Sequence, residues 1–213
     1  MIEIKTFTVN PLQENCYVVS DATGETCIID PGCMSESEWA PIKAYIDSNN
    51  LRPTHMLCTH LHFDHIMGCG FVHRDYGLDI EGSMADFMLY KQNHIYMAAF
   101  NLQADSVPTL PQVKDISTTE AVSLGSHTIK IIPTPGHTQG GVCFYIEDEG
   151  VLFAGDTLFQ GSIGRTDMAG GDYGQLIRSI RQELTKLPPS THVFTGHGPS
   201  TTIDYEMKFN PYI

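Results

Sequence analysis

The chain has 213 residues, 41% of them hydrophobic and 17% charged, which is an ordinary globular composition and enough length to bury a sizeable core. Its formal net charge of −13 argues against nucleic acid or an anionic membrane surface as a partner, because both attract clustered Lys and Arg. No run approaches the roughly twenty apolar residues of a membrane span, and the first residues do not form the basic and apolar segments of a secretory signal.

Six cysteines are spread along the chain without CxxC spacing. Because no secretory signal is visible, this pattern predicts reduced thiols, most of them in the core, and a cytoplasmic location. The cysteines are Cys16, Cys27, Cys33, Cys58, Cys69 and Cys143.

The opening third of the chain is predicted to be rich in β-strands, since short apolar or alternating stretches are separated by turn signals. Ser35 followed by Glu38 is typical of a capping box, and apolar residues then recur at helical spacing as far as Asn49. A further strand leads into residue 59. The predicted strands before this helix are residues 2–9, 15–20 and 26–30.

The middle of the chain is predicted to be helical. Residues 66–76 favour a helix, although Gly68 and Gly70 weaken the pattern. Residues 83–102 carry apolar side chains near helical spacing, which favours a helix packed on the core. A flexible, Met-rich wall over a substrate groove is the alternative interpretation of that segment.

The second half repeats the order of strands followed by a helix. A strong helix begins after Asp172, places Leu176 and Ile180 on one face, and ends before Pro188-Pro189. No linker rich in Ser or Gly separates the halves, so the pattern predicts one domain of two stacked sheets with helices outside. The predicted strands are residues 121–124, 128–132, 142–146, 151–154 and 192–195.

The stretch from Thr59 to His65 places three imidazoles and a carboxylate directly after an apolar strand. Neutral imidazole is the commonest metal donor in proteins, and carboxylate adds an anionic ligand. If the chain stays extended, His60, His62 and Asp64 point the same way and His65 does not. Two ligand directions from one loop favour two neighbouring ions over one.

Three later positions follow the same pattern, in which an apolar strand and a glycine precede a metal-competent side chain. These side chains are His137, Asp156 and His197. Glycine permits a close backbone approach, and several strand ends can converge on one edge of a pair of sheets. The other histidines lie in no such motif and are interpreted as ordinary core or surface residues: His55, His73, His94, His127 and His192.

The candidate ligands are therefore five histidines and two aspartates, too many for one tetrahedral ion and suited to two ions that share a bridging carboxylate and water. Two divalent ions, two carboxylates and a hydroxide would leave about one positive charge, so the site would not repel an anionic substrate. The candidates are His60, His62, Asp64, His65, His137, Asp156 and His197.

These residues also match a known family. The string Thr59–His65 (THLHFDH), with Thr134-Pro135-Gly136-His137-Thr138, Gly155-Asp156-Thr157 and Gly196-His197-Gly198, resembles the metallo-β-lactamase superfamily, glyoxalase II-like branch. The resemblance implies an α/β (α+β) fold, the αββα sandwich, with a binuclear metal site. It also implies ligand roles: His60, His62 and His137 for the first metal, Asp64, His65 and His197 for the second, and Asp156 as the bridge.

The resemblance continues through Gly164-Arg165-Thr166-Asp167. In glyoxalase II enzymes a basic residue at the position of Arg165 helps to hold a glutathione carboxylate, so Arg165 is a candidate anion clamp. An ordinary salt bridge with Asp167 is the alternative. Full-length glyoxalase II also has a C-terminal helical domain, whereas only residues 201–213 follow the last ligand here, so residues 1–213 are expected to form a single, short domain without it.

The resulting hypothesis is a metal-dependent hydrolase that acts on a thioester such as S-lactoylglutathione, or on a related ester. A bridging water acidified by two cations would attack the carbonyl, with Asp64 orienting that water and Asp156 bridging the ions. The expected cofactors are two divalent ions, zinc first, although iron and manganese accept the same ligands. The expected partner is a small, anionic substrate, with neither nucleic acid nor a membrane.

Other functions remain as alternatives. Persulfide dioxygenases are similar in layout but use a single iron on the positions of His60, His137 and Asp156, and they carry a cysteine where this chain has Ile163. A β-lactamase is disfavoured by the second ligand set and the lack of a visible leader, and a nucleic-acid-processing enzyme is disfavoured by charge. A non-catalytic metal-binding protein is a rival of another class, although all seven ligand types are intact.

Overall fold

A computed structural model describes residues 1–102 and 107–213. Two six-stranded sheets lie at the centre, each mixing parallel and antiparallel neighbours. The first sheet has the order β1-β2-β3-β4-β5-β6 and the second β14-β13-β10-β9-β8-β7. The first sheet contains β1 (Glu3–Val9), β2 (Glu14–Ser20), β3 (Glu25–Ile29), β4 (Arg52–Leu57), β5 (Ile80–Gly82) and β6 (Val113–Asp115).

The second sheet is built from the other half of the chain. Its strands are β7 (Ala121–Leu124), β8 (His127–Pro133), β9 (Val142–Ile146), β10 (Val151–Gly155), β13 (His192–Thr195) and β14 (Thr201–Thr202), and a separate hairpin is formed by β11 (Leu158–Phe159) and β12 (Ser162–Ile163). The helices are α1 (Glu36–Ser48), α2 (Phe63–Ile66), α3 (Cys69–Tyr76), α4 (Phe87–Ala99), α5 (Tyr173–Glu183) and α6 (Ile203–Phe209).

Alternation along the strands explains how the layers stack, because successive side chains point to opposite faces of a sheet. In β2, Val18 packs with α1 and α3, whereas Tyr17 and Val19 pack against the second sheet. In β9, Phe144 lies between the sheets and Tyr145 faces α5. The order helix, sheet, sheet, helix is the αββα sandwich, and the predicted fold class is confirmed.

Local signals set the helix boundaries as the sequence predicts. The Ser35 side chain caps α1 by accepting a hydrogen bond from the Glu38 amide at 3.3 Å, and Asp172 caps α5 by accepting from the Gln175 amide at 2.8 Å. The helix predicted over residues 66–76 is instead two pieces, α2 and α3, with Gly68 at the start of the second. Short strands such as β5, β6 and β14 were not predicted, because two or three residues carry no readable periodicity.

The segment predicted as a helix over residues 83–102 is α4, preceded by a 3₁₀ turn at Met84–Asp86. Leu89 and Met97 are buried on its inner face, while Met88 and Ile95 are exposed. All six cysteines are free and buried, as predicted. Among the described residues, no helix combines the length and apolar character that crossing a membrane requires.

Candidate metal centre

Four strand ends meet at one edge of the sandwich and bring the seven candidate ligands together. β4 arrives from the first sheet, and β8, β10 and β13 arrive from the second. Three groups of three emerge, and within each group one ligand atom per residue lies within 4.8 Å of the others; His60, His65 and Asp156 form the group that links the other two. We call these other two the first group (His60, His62 and His137) and the second group (Asp64, His65 and His197).

The loop after β4 supplies ligands to both groups because it changes conformation at Phe63. His62 is extended, with φ −68° and ψ 149°, and α2 begins at the next residue. The side chains of Asp64 and His65 therefore follow a helical turn and not the extended alternation considered from the sequence. This change of direction turns Asp64 and His65 toward the second group, while the ring centroids of His60 and His65 stay 4.1 Å apart.

Asp156 lies between the two groups. Its Oδ2 atom is 3.6 Å from His137 Nε2, and its Oδ1 atom is 3.4 Å from His65 Nε2 and 3.7 Å from His197 Nε2. Each carboxylate oxygen thus faces a different group, as a bridging ligand requires. Gly196 permits this approach, since a Cβ atom there would lie 2.2 Å from Asp156 Oδ1.

Four of the five imidazoles are held through Nδ1, which leaves Nε2 directed at the centre. His60 contacts Thr59 Oγ1 at 3.1 Å, and His65 contacts Asp30 Oδ2 at 3.0 Å. The other two contact backbone carbonyl oxygens: His137 that of Arg165 at 2.7 Å, and His197 that of Leu12 at 3.0 Å. Such contacts fix the tautomer and the ring orientation of a metal ligand.

His62 is the exception, since its Nδ1 atom faces inward and lies 3.0 Å from His137 Nε2. Among the described residues, His60 Nε2, His65 Nε2 and Asp156 Oδ1 are buried and have no hydrogen-bond partner. The ligand atoms of these three residues lie within 4.8 Å of one another, and because buried polar atoms are nearly always paired, such a cluster calls for a cation. Imidazole nitrogen and carboxylate oxygen are donors that divalent transition ions accept, and the residues fit such ions.

The protonation of the imidazoles differs between the two groups. Burial lowers the pKa of His60 well below its ordinary value and lowers the pKa of His62 to about 4, so both are neutral at pH 7. Burial alone would also lower the pKa of His65, but the carboxylates of Asp156, Asp30 and Asp64 raise it well above its ordinary value. Neighbouring carboxylates therefore affect the imidazole pKa in the second group more than in the first.

The two candidate carboxylate ligands are held in their ionised form. Burial would raise the pKa of Asp156, yet the neighbouring imidazoles, His65 first, hold it well below the ordinary value. The pKa of Asp64 is lowered in the same way, by His65 and by its contact with His197, against the effect of burial. Ionised carboxylates are the form that binds a metal, whereas His65, whose pKa is raised by the same carboxylates, must release its proton when a metal binds.

Two acidic residues behind the second group were not singled out from the sequence. Asp30 is 1% exposed and accepts hydrogen bonds from the Thr59 amide at 2.7 Å and the Thr59 hydroxyl at 2.6 Å, in addition to its contact with His65. Glu14 is fully buried, and burial raises its pKa well above the ordinary value. The signal for Asp30 was available, because it follows an apolar strand just as the ligands do.

The groups border an open cavity of about 230 Å³. One wall is apolar and comprises Leu12, Phe63, Phe100 and Met168. Arg165 also borders the cavity, but its guanidinium makes two bonds to Asp167, at 2.7 and 2.9 Å. The salt bridge considered as the alternative for Arg165 is thus present, and the Asp167 carboxylate raises the pKa of Arg165 further.

Of the five histidines outside the motifs, three form ion-pair contacts away from the centre, one of them His73, whose Nδ1 atom lies 3.4 Å from Asp79 Oδ1. His55 Nδ1 lies 2.8 Å from Glu81, and His127 Nδ1 lies 2.6 Å from Asp148. His94 is exposed on α4. His127 forms, with Asp148 and Glu149, a separate group that could hold a cation, whereas the other positions agree with their interpretation as ordinary residues.

Comparison with known proteins gives one family and several relatives. Residues 9–197 match the model of the metallo-β-lactamase superfamily. The chain is 34% identical to the hydroxyacylglutathione hydrolase GloC of Haemophilus influenzae, over all of this chain and 98% of that protein.

Two solved structures are similar along nearly their whole length. TTHA1623, solved in a di-iron-bound form, is 34% identical with a TM-score of 0.86, and the match covers 98% of this chain and 100% of the TTHA1623 chain. The B3 metallo-β-lactamase BLEG-1 is 32% identical with a TM-score of 0.85, covering 99% of both chains. The αββα sandwich, the His- and Asp-rich edge and the family match agree. The chain belongs to the metallo-β-lactamase superfamily and is similar to its glyoxalase II-like metallo-hydrolases.

Proposed function

We propose that this protein is a metal-dependent hydrolase that cleaves a thioester or a related ester at a site for two divalent cations. The first group would hold one cation, the second group the other, and Asp156 would bridge them. The observation that carries the proposal is the cluster of buried, unpaired atoms on His60, His65 and Asp156, a set of residues whose ligand atoms lie within 4.8 Å of one another and which links the two groups. When bound, two such cations acidify a water molecule and polarise the scissile carbonyl.

Residues of the chain itself can orient the attacking water and keep bulk water away from the substrate. Asp64 Oδ2 lies 3.3 Å from His197 Nε2 and faces the same space as Asp156, so it can both ligate and orient a nucleophilic water. The apolar wall beside the ligands offers a dry surface to the acyl group of a substrate. Arg165 at the cavity border can bind a substrate carboxylate if it exchanges its Asp167 partner, since exposed ion pairs contribute little to stability.

Relatives support this choice of reaction and metal. GloC is named as a hydroxyacylglutathione hydrolase and TTHA1623 binds two irons, which supports thioester hydrolysis and a binuclear site in this chain. Zinc is the proposed ion, with iron or manganese as substitutes that the ligand set accepts. We also propose that residues 1–213 act as one domain, because the two sheets share one apolar interior.

Elemental analysis combined with hydrolysis assays tests the proposal. Purified protein should contain two divalent ions per chain and hydrolyse S-lactoylglutathione or another thioester in a panel that also includes simple esters and a β-lactam. Asp156→Ala should lose at least about a hundredfold in rate together with bound metal, more than the tenfold to hundredfold typical of residues behind a ligand. His94→Ala, an exposed histidine variant, should keep both.

Three results would contradict the proposal. Full rate and full metal content in Asp156→Ala would remove the bridge from the mechanism. A single iron with oxygen uptake would favour the persulfide dioxygenase alternative. Two bound ions with no hydrolysis across the whole panel would favour a non-catalytic metal-binding protein.

A further inference from the structure

A buried aspartate that the proposed reaction does not use lies beside the first group. Asp86 closes the 3₁₀ turn before α4 and is 1% exposed. Burial raises the pKa of its carboxyl, and a buried carboxylate is costly unless it is hydrogen-bonded. Its hydrogen-bond partners therefore indicate what the residue does.

All three donors to Asp86 belong to the two loops that carry the first group. Oδ1 accepts from the Gly140 amide at 2.7 Å, and Oδ2 accepts from the Thr138 hydroxyl at 2.8 Å. Oδ2 also accepts from the Leu61 amide at 3.3 Å. Leu61 separates His60 from His62, and Thr138 follows His137, so one carboxylate fastens the backbone beside all three ligands of the group.

Close packing reinforces this arrangement. A Cβ atom at Gly140 would lie 2.7 Å from Asp86 Cγ, so only glycine lets that loop reach the carboxylate. Asn93, which is 4% exposed on α4, donates from Nδ2 to the Leu61 carbonyl oxygen at 3.4 Å. Both polar groups of the Leu61 backbone are thus held by side chains from the segment that leads into and forms α4.

We propose that Asp86 is a positioning residue that holds the two ligand loops at the spacing the first metal requires. This inference rests on the proposed ligand role of His60, His62 and His137 and does not depend on the substrate. Loss of the carboxylate would let the loops separate and would lower the affinity for the first ion about tenfold to hundredfold, as for other residues that orient ligands.

The test measures metal binding directly. Asp86→Ala is compared with the natural protein for zinc affinity, by competition with a chelating dye, and for the absorption spectrum of the cobalt-substituted protein. The expected result is a tenfold to hundredfold weaker first ion and an altered cobalt spectrum. Asp115→Ala is the matched control, because Asp115 is exposed and accepts from the Met84 amide of the same 3₁₀ turn without contacting either ligand loop.

A milder variant keeps the inference testable if Asp86→Ala does not fold. Thr138→Val removes one of the three bonds at nearly constant volume, and we expect about three- to tenfold weaker binding of the first ion. Folded variants with reduced thermal stability but unchanged zinc affinity and an unchanged cobalt spectrum would show that Asp86 is merely structural, which would overturn the inference.

His62→Ala separates this inference from the proposed function. If His62→Ala lowers zinc affinity and the Asp86 and Thr138 variants do not, the positioning role is wrong and the ligand set stands. If His62→Ala leaves zinc affinity unchanged, the ligand set itself is wrong, and the inference fails with it.

Discussion

The two ligand groups of the proposed centre are fastened by different parts of the molecule. The second group is held by the amino-terminal strands and loops: Asp30 contacts His65, the Leu12 carbonyl accepts from His197, and Asn10 donates to the Asp64 carbonyl at 2.9 Å.

The first group has its supports in the middle of the chain. Thr59 contacts His60 at 3.1 Å, the Arg165 carbonyl contacts His137, and Asp86 lies against both ligand loops. Asp30 is shared, because it contacts His65 and also accepts from Thr59, but the other supports differ. We therefore expect that either site can be weakened without the other through these unshared supports, and the variants below test that independence.

The largest expected effect comes from removing one ligand of each group in turn. His62→Ala should lose the first ion and keep the second, and His197→Ala should do the reverse. Each should lower the rate at least about a hundredfold, since the reaction needs both ions. Losing an ion should lower the rate more than losing a residue that only orients a ligand. Elemental analysis and rate assays check this, and loss of both ions in both variants would show that the two sites are not independent.

Metal removal should destabilise the protein as a whole. An ion present at about a thousand times its dissociation constant stabilises the folded state by about 4 kcal/mol, and chelation removes that contribution. For a chain of this size each kcal/mol corresponds to about 2–4 °C in melting temperature, so we expect a decrease of roughly 8–16 °C for each ion removed. Calorimetry with and without a chelator measures it, and an unchanged melting temperature in metal-free protein would contradict the prediction.

Substituting a residue that supports the second group should weaken metal binding less than removing a ligand. Asn15 donates from Nδ2 to the Thr195 carbonyl at 3.2 Å and the Gly198 carbonyl at 2.9 Å, on both sides of His197. Asn15→Ala should lower the affinity for the second ion about tenfold and leave the first unaffected.

The accompanying loss of stability should be about 0.5–1.5 kcal/mol, the net contribution of a typical hydrogen bond, because the Thr195 carbonyl keeps its bond from the Tyr17 hydroxyl at 2.6 Å and Gly198 is exposed. Zinc titration and denaturant unfolding measure the two effects. The control is Asn49→Ala, which changes an exposed helix end. Equal weakening of both ions by Asn15→Ala would show that the supports are shared.

The smallest expected effect is a change in substrate binding, with the binding of both ions unchanged. Arg165→Ala should raise KM about two- to fivefold for an anionic thioester, leave kcat unchanged and spare a neutral thioester, since an exposed charge contributes modestly. Asp167→Asn should lower KM for the anionic substrate, because it frees the guanidinium. Steady-state kinetics on a matched pair of substrates checks both, and equal effects on the neutral thioester would exclude a charge role.

Much of the fold was predictable because its signals are local. Strand alternation, the caps at Ser35 and Asp172, and the turn signals between them depend on neighbouring residues only. The candidate ligands were predictable for a related reason, since each follows an apolar strand and the ends of such strands meet at a sheet edge. The change from extended to helical backbone at Phe63 was not predictable, because four residues carry too short a pattern.

The sequence by itself therefore determined the fold class, the family and the chemical character of the candidate site. Only the tertiary structure decided which residues stand behind the ligands, because Asp30 and Asp86 meet their partners across 25 to 54 positions of chain. It also decided that Asp156 turns one oxygen toward each ligand group. Contacts of this kind depend on how whole sheets and loops pack, and no stretch of neighbouring residues encodes them.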